Sequence, residues 1–434
     1  MTLVSRGAAL TCLALSAATL AGCGDGPCGQ IEGPLLFAWD EGSAHRLVGT
    51  NASAFDSIGA ALDAAEPGTA VCVGPGVWQE ELRIDTDGVR LFGAGSQATI
   101  IEPLQPHDDP RASEATIIEV DAAGVLLSGL QVRGGAIGIS LDGESDATLL
   151  DIEARTNEIG LRGHNIAGLI AEGLTLTRNT TAGAILSNSD PANAPGVMVH
   201  ELTASGNGDM NVSAVGGFSS EHPLTLTMAH FVDNSGVESG DLKASAGLEV
   251  DGMLVESPFL ATETPRVVID GDATLRNSSF TLQKGGVEID CKGGDLLLEN
   301  VAVSNSSETP TDTTLSLLDC DGQLVHVTLA RLDGPAQGEG FSHEGDGELE
   351  VLNSAIVNFA VPMGGNGAIV EGTNYTGILR EAELLMPLSA TPDLRPQLDS
   401  PLVDAGEELG LTRDLDGWQR PLGPAPDLGA YERR

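Results

Sequence analysis

The feature that most constrains this chain is a self-similar unit that begins at Gly124, Ala147, Gly168, Gly196, Leu224, Asp272, Asp295, Gly322 and Gly347, so that successive starts lie 21 to 28 residues apart with one double step. Each unit is an alternating apolar strand followed by a glycine or asparagine corner, as in Ala147-Thr-Leu-Leu-Asp-Ile-Glu-Ala154 and Gly168-Leu-Ile-Ala-Glu-Gly-Leu-Thr-Leu176. Alternation with period two calls for strands. A unit this short cannot bury its own apolar face, so neighbours must stack, and short parallel strands joined in one sense stack as a single-stranded right-handed parallel β-helix. Roughly eleven such rungs between residues 88 and 360 give a rod on the order of 50 Å long.

A second register supports the same stack. Asn157, Asn179, Asn207, Asn234 and Asn305 each follow such a strand, which predicts a ladder of amides along the axis at a corner that tolerates left-handed backbone. Composition agrees: 56 glycines and few aromatic residues suit many short strands with tight corners. The segment 53–66 is the exception. Phe55, Ile58, Leu62 and Ala65 share one helical face, with Ser53 or Asp56 as N-cap, and the pattern stops at Pro67-Gly68. A helix there is predicted to cover the first open edge of the rod.

The formal net charge is −42. Binding nucleic acid or an anionic bilayer by charge requires clustered basic groups, so no nucleic-acid partner is expected. The N-terminus reads as an address: Arg6, an apolar run from Gly7 to Ala21, then Leu20-Ala21-Gly22-Cys23. The run is too short to span a bilayer and fits a signal-peptide core. The string at 20–23 resembles the lipobox of bacterial lipoproteins, which implies lipid attachment at Cys23, a membrane partner through that anchor, and a place at the outer membrane or cell surface. Cys28, Cys72, Cys291 and Cys320 then remain, an even number suited to an oxidising compartment. Cys291 and Cys320 sit in like strings, and on adjacent rungs their Cα atoms would be about 4.8 Å apart, within disulfide range. Cys28 would then join Cys72.

The divisions expected are a lipoprotein signal peptide at 1–22, an N-terminal tether at 23–52, a capping helix and first strand at 53–87, the β-helix at 88–380 and a C-terminal cap and tail at 381–434. The string from Ser57 to Glu81, with Gly74-Pro-Gly-Val-Trp78, followed by Leu91-Phe-Gly-Ala-Gly95, resembles the start of pectin-lyase-like β-helix proteins. The tail, with Asp414-Leu-Asp-Gly-Trp-Gln-Arg-Pro421 and Asp427-Leu-Gly-Ala-Tyr-Glu432, resembles that of surface β-helix proteins of the choice-of-anchor Q type. The resemblance implies the fold, display at the cell surface and two end caps.

Three clusters are candidate sites. Arg133, Arg155, Arg162 and Arg178 crowd one short region and could cradle a uronate or sulfate of a polysaccharide; pairing with Glu153, Glu158 and Asp151 is the plainer reading. Asp290 and Asp319, each before a cysteine, are expected to stack one rung apart, which makes calcium the one cofactor the sequence points to. Asp108 and Asp109 lie in an insertion rather than on strands, a poor place for paired catalytic acids. No complete catalytic set is present in the sequence. The function expected is a surface-displayed, non-catalytic β-helix for adhesion, envelope structure or glycan binding; the rival is a lyase or glycoside hydrolase acting on an acidic polysaccharide in the lateral groove.

Overall fold

The computed structural model describes residues 35–38, 55–105, 113–143, 146–166, 168–187, 196–208, 210–214, 223–232, 241–245, 247–257, 267–282, 286–306, 313–332, 334–386 and 392–434. The signal segment, Cys23, Cys28, Asp108, Asp109 and Asn234 lie outside these residues.

The chain winds as a parallel β-helix. Among the described residues its strands form a long sheet of nineteen and a short sheet of twelve, whose rungs pair in parallel, and a two-stranded antiparallel sheet in the C-terminal segment. One rung shows why the sequence does this. Thr148–Arg155 runs in the long sheet and Ile159–His164 in the short one. Leu149, Ile152, Ala154 and Leu161 point inward and are buried. The apolar positions change parity between Leu149 and Ile152 because Asp151 takes a left-handed conformation, φ 49°. That single residue folds the strand over an edge without breaking its pairing.

The same conformation recurs at the aligned position of the next eight rungs, at Gly173, Glu201, Met228, Gly252, Asn277, Asn300, His326 and Asn353. This column divides the outer surface of the long sheet into two lateral faces. Glycine and asparagine accept the left-handed region readily, whereas Glu201 and Met228 hold it at a cost of about 1 kcal/mol or more each.

The predicted amide ladder is present at Asn157, Asn179 and Asn207, all fully buried. Asn179 Oδ1 accepts from Asn157 N at 3.0 Å and Nδ2 at 3.2 Å, while Asn179 Nδ2 donates to Ala154 O at 3.1 Å and to Asn207 Oδ1 at 2.9 Å. Asn305 is not a member. Its register partners are Leu282 and Arg331, and the ladder position of its rung falls on Ser306, one residue later.

Helix α1 spans Ile58–Asp63, shorter than the segment 53–66, and its N-cap is Ser57, whose side chain accepts from Ala60 N at 3.1 Å. Glu80 adds both carboxylate oxygens to the first turn, accepting from Ile58 N and Gly59 N at 2.8 Å each. Ile58, Ala61 and Leu62 press on the first rungs and close that end. Cys291 and Cys320 are joined by a disulfide across adjacent rungs, Cα to Cα 4.9 Å. Cys72 is also disulfide-bonded.

The C-terminal segment departs from the expected end cap. It lies along the side of the rod, where Ala382, Leu384, Leu394, Leu402, Leu428 and Ala430 pack on Ala302, Ala330, Ala355 and Val357 in a second hydrophobic core. The outward columns of the last rungs admit it laterally: they carry Ala302, Ala330, Ala355 and Val357, beside Ser304 and Thr328, where earlier rungs carry bulkier groups such as His230, Leu254 and Glu256.

The ladder should be a main source of cohesion between rungs. Asn179→Ala removes two donated and two accepted bonds in a fully buried corner, and an orphaned buried group costs about 1 to 3 kcal/mol. Urea unfolding should show a loss of at least about 2 kcal/mol, with Asn179→Asp recovering less than half of it.

Candidate ligand-binding face

The lateral face on the C-terminal side of the left-handed column is the best-defined site in the molecule. Its floor is two aligned columns of outward side chains. One runs Gln131, Glu153, Thr175, Thr203, His230, Leu254 and Ser279; the other runs Arg133, Arg155, Thr177, Ser205, Val232, Glu256 and Thr281.

Both ends of this floor are occupied. At the N-terminal end the turn around Ser96 and Gln97 folds over it. Ser96 Oγ donates to Asp151 Oδ1 at 2.8 Å, Gln97 Nε2 donates to Glu153, and Gln131 Nε2 donates to the same Glu153 oxygen at 2.9 Å. Glu153, buried by these contacts, also faces Arg155 at 3.6 Å, and Arg133 pairs with Glu102 at 3.0 Å. Two of the four candidate arginines thus stack, Arg133 on Arg155, but both are neutralised in place. The others sit elsewhere. Arg178 has φ 54° and occupies the corner after Thr177, aligned with Thr156 and Gly206. Arg162 belongs to the short sheet, donates to Ser140 Oγ at 3.1 Å, and lines a shallow cavity of about 330 Å³ with Asp142, His164 and Ser187. The four do not form one cradle, because consecutive residues around a corner point to different sides of the coil.

At the C-terminal end the tail forms a wall. Three successive residues of the left-handed column hold it: Asn300 Nδ2 donates to Arg413 O at 3.0 Å, His326 Nδ1 donates to Gly429 O at 3.3 Å, and Asn353 Nδ2 donates to Glu407 O at 2.7 Å. Behind them lies a buried charge cluster. Arg420 pairs with Glu432 at 2.9 Å and donates to Asn300 Oδ1 and Gly429 O at 3.0 Å each. Asp414 accepts from Trp418 N and Glu432 N, and Asp427 accepts from Asp404 N. The motif residues of the tail therefore clasp its own backbone. Burial pushes Asp427 and Glu432 above the usual carboxylate range and Arg420 below its own. Burial, with the Arg420 charge beside it, lowers His326 to about 3.

Between the two ends four rungs remain open among the described residues. They present Thr175, Thr177, Thr203, Ser205, His230, Val232, Leu254 and Glu256, a strip about 15 to 20 Å long. Thr177 Oγ1 and Ser205 Oγ share a hydrogen bond at 3.1 Å, and His230 Nε2 meets Glu256 Oε2 at 2.8 Å. Hydroxyls that both donate and accept, beside exposed Leu254, match the mixed polar and apolar surface of a sugar. An imidazole oriented by a carboxylate can also move a proton. Sequence reading left His230 as a scattered histidine. The pairing is nevertheless encoded: Leu224 aligns with Leu248, 24 residues on, and Glu256 lies two residues beyond the position opposite His230.

The calcium reading does not fit the residues present. Asp290 aligns with Leu318, not with Asp319, which sits at the next corner. Asp290 Oδ1 accepts from Lys292 N at 3.1 Å and Asp319 Oδ1 from Asp346 N at 2.8 Å, so both carboxylates cap turns. Lys292 pairs with Asp270, the true stacking partner of Asp290. No group of three or more His, Cys, Asp or Glu side chains suited to a metal occurs among the described residues.

No family model and no curated relative matches this chain. Among solved structures it is similar to pectate lyase Pel9A, at 14% identity and TM-score 0.45 over 94% of this chain and 99% of that one. It is also similar to the Azotobacter vinelandii mannuronan C-5 epimerase AlgE6 A-module, at 15% identity and TM-score 0.36 over 74% and 92%. A third is the catalytic unit of a GH87 alpha-1,3-glucanase from Streptomyces thermodiastaticus strain HF3-3, at 13% identity and TM-score 0.35 over 74% and 63%, so the match spans less than two thirds of that unit.

The wall should be acid-sensitive through His326. The unfolded imidazole, at 6.5, takes its proton before the folded one, at about 3, so the contribution is complete above pH 6.5 and falls as pH drops toward 3. Asp427 and Glu432, shifted upward, oppose this as pH falls through their raised values. From pH 7.5 to 5.0 the chain should lose about 2 kcal/mol in urea unfolding, and His326→Asn, which tolerates the left-handed backbone, should lose less than half as much.

Proposed function

We propose that this protein is a surface-displayed, non-catalytic β-helix that holds a neutral glycan on the open strip of its lateral face. The observation that carries the reading is the arrangement of that face: a floor of four open rungs, hydroxyls on the first two and His230, Val232, Leu254 and Glu256 on the next two, bounded by Gln97 at one end and by the tail at the other. Neutrality of the ligand follows from charge. The chain carries −42, and the two arginines on this face already have carboxylate partners. Display at the outer membrane or cell surface, through a lipid on Cys23, remains part of the proposal.

One observation favours a second reading. The His230–Glu256 pair sits on the open strip with an ion-pair distance of 2.8 Å, as a proton-transfer site of a polysaccharide-cleaving enzyme would.

Two measurements separate these. A glycan array with the purified chain should show binding to neutral polysaccharides, and Thr203→Tyr, which fills the exposed middle of the strip, should weaken it at least tenfold with no change in melting temperature. Incubation with the bound glycan should release no new reducing or unsaturated ends. Release that disappears in His230→Gln establishes the enzyme instead.

A further inference from the structure

We propose that the C-terminal end of the rod is a self-association surface that joins two copies of this chain tip to tip. The inference goes beyond the glycan reading and does not depend on it.

The final rung, Val361–Gly365, Ala368–Glu371 and Tyr375–Gly377, pairs on one side only, with Glu339–Glu344, Glu348–Leu352 and Ala355–Val357. Among the described residues no strand pairs with the other side. The core stops there uncovered. Met363 and Ile369 are only partly buried, although Phe341 and Leu349, their register partners one rung before, are fully buried. Val361 and Val370 stand 41% and 44% exposed on the rim. An open parallel edge over an uncovered core invites a partner.

Three features identify a second copy as that partner. The first is charge. Residues 361–377 carry one carboxylate, Glu371, and no base, so the tip itself is nearly uncharged within a chain of net charge −42, and the carboxylates near it, Glu339, Glu381, Glu383 and Glu407, belong to flanking segments. The second is closure. At the opposite end α1 covers the core with Ile58, Ala61 and Leu62, so that end offers no bare apolar counterpart to Met363, Ile369 and Val370, and a two-fold pair of like ends is the arrangement left. The third is the pattern of free backbone groups. Gly372 N donates to Val351 O and Tyr375 N to Ser354 O, so by strand alternation Ile369, Glu371 and Thr376 direct their backbone groups outward on the long-sheet side. Pro362, without an N–H, blunts the short-sheet side and restricts where pairing forms.

The contact is small. Seventeen residues per copy is below the roughly 20 to 30 per side of a standard interface, so the dimer is weak and concentration-dependent. Its N-terminal ends point away from each other. Chains tethered there on two facing surfaces would bridge about 100 Å, and many copies would add through avidity.

The test is sedimentation equilibrium of the full chain carrying Cys23→Ser, across the micromolar range. The weight-average mass should rise from one chain of 44.5 kDa toward two. Val370→Lys and Met363→Lys should each weaken association at least tenfold with native circular dichroism, whereas Thr203→Lys on the lateral face should leave it unchanged. A single-chain mass at every concentration overturns the proposal, as does a mass that exceeds two chains or a dimer indifferent to Val370→Lys. Loss of glycan binding by Thr203→Lys, by contrast, bears only on the lateral face.

Discussion

The structure depends on one constraint: each rung must present the same inward side chains, in the same register, as the rung beneath it. Leu149 over Leu127, Ile152 over Leu130 and Ala154 over Val132 show the rule, and the backbone pairing that fixes the register is the same pairing that stacks the apolar groups. A shift of one residue would turn every core side chain outward. The buried amides of Asn157, Asn179 and Asn207 reinforce the register where no strand pairing exists, at the corner between the two sheets.

Because the interior is settled by this rule, function is left to the outward columns, and the chain treats them differently along its length. Early rungs carry glutamine, glutamate and arginine that satisfy one another. Middle rungs carry four hydroxyls, two of them bonded to each other, and the His230–Glu256 pair. Late rungs carry Ala302, Ala330, Ala355 and Val357, which are small enough to admit a second layer. The tail takes that place, and its buried Arg420, Glu432, Asp414 and Asp427 hold its own turns rather than a ligand. Replacing a clasp of this kind by one uncompensated charge would cost about 3 to 5 kcal/mol, which makes the wall a fixed boundary and not a lid.

How much of the site was legible follows from the same division. The stacking of Arg133 on Arg155 is legible because each stands four residues before an aligned isoleucine, Ile137 and Ile159, across corners of equal length. Arg162 and Arg178 could not be placed, because a corner of two or three residues redirects side chains by an amount that sequence spacing does not encode. Asp290 and Asp319 misled for a related reason: the equivalence of their cysteines was sound, but a turn in left-handed conformation at Asp319 set the two carboxylates one position out of step. The left-handed column was readable in principle, as a change of apolar parity within each strand, from Leu149 to Ile152 and again from Val199 to Leu202.

The sequence by itself determined the coil: a two-residue alternation repeated every two dozen residues admits only stacked strands, and recurring asparagines mark one of its corners. Only the tertiary structure decided where the tail lies, because its docking depends on outward columns assembled from rungs far apart in the chain. The same is true of which face stays open and which end stays bare. Those features come from contacts between residues about a hundred positions apart, as between Thr328 and Ala430, and no local pattern records them.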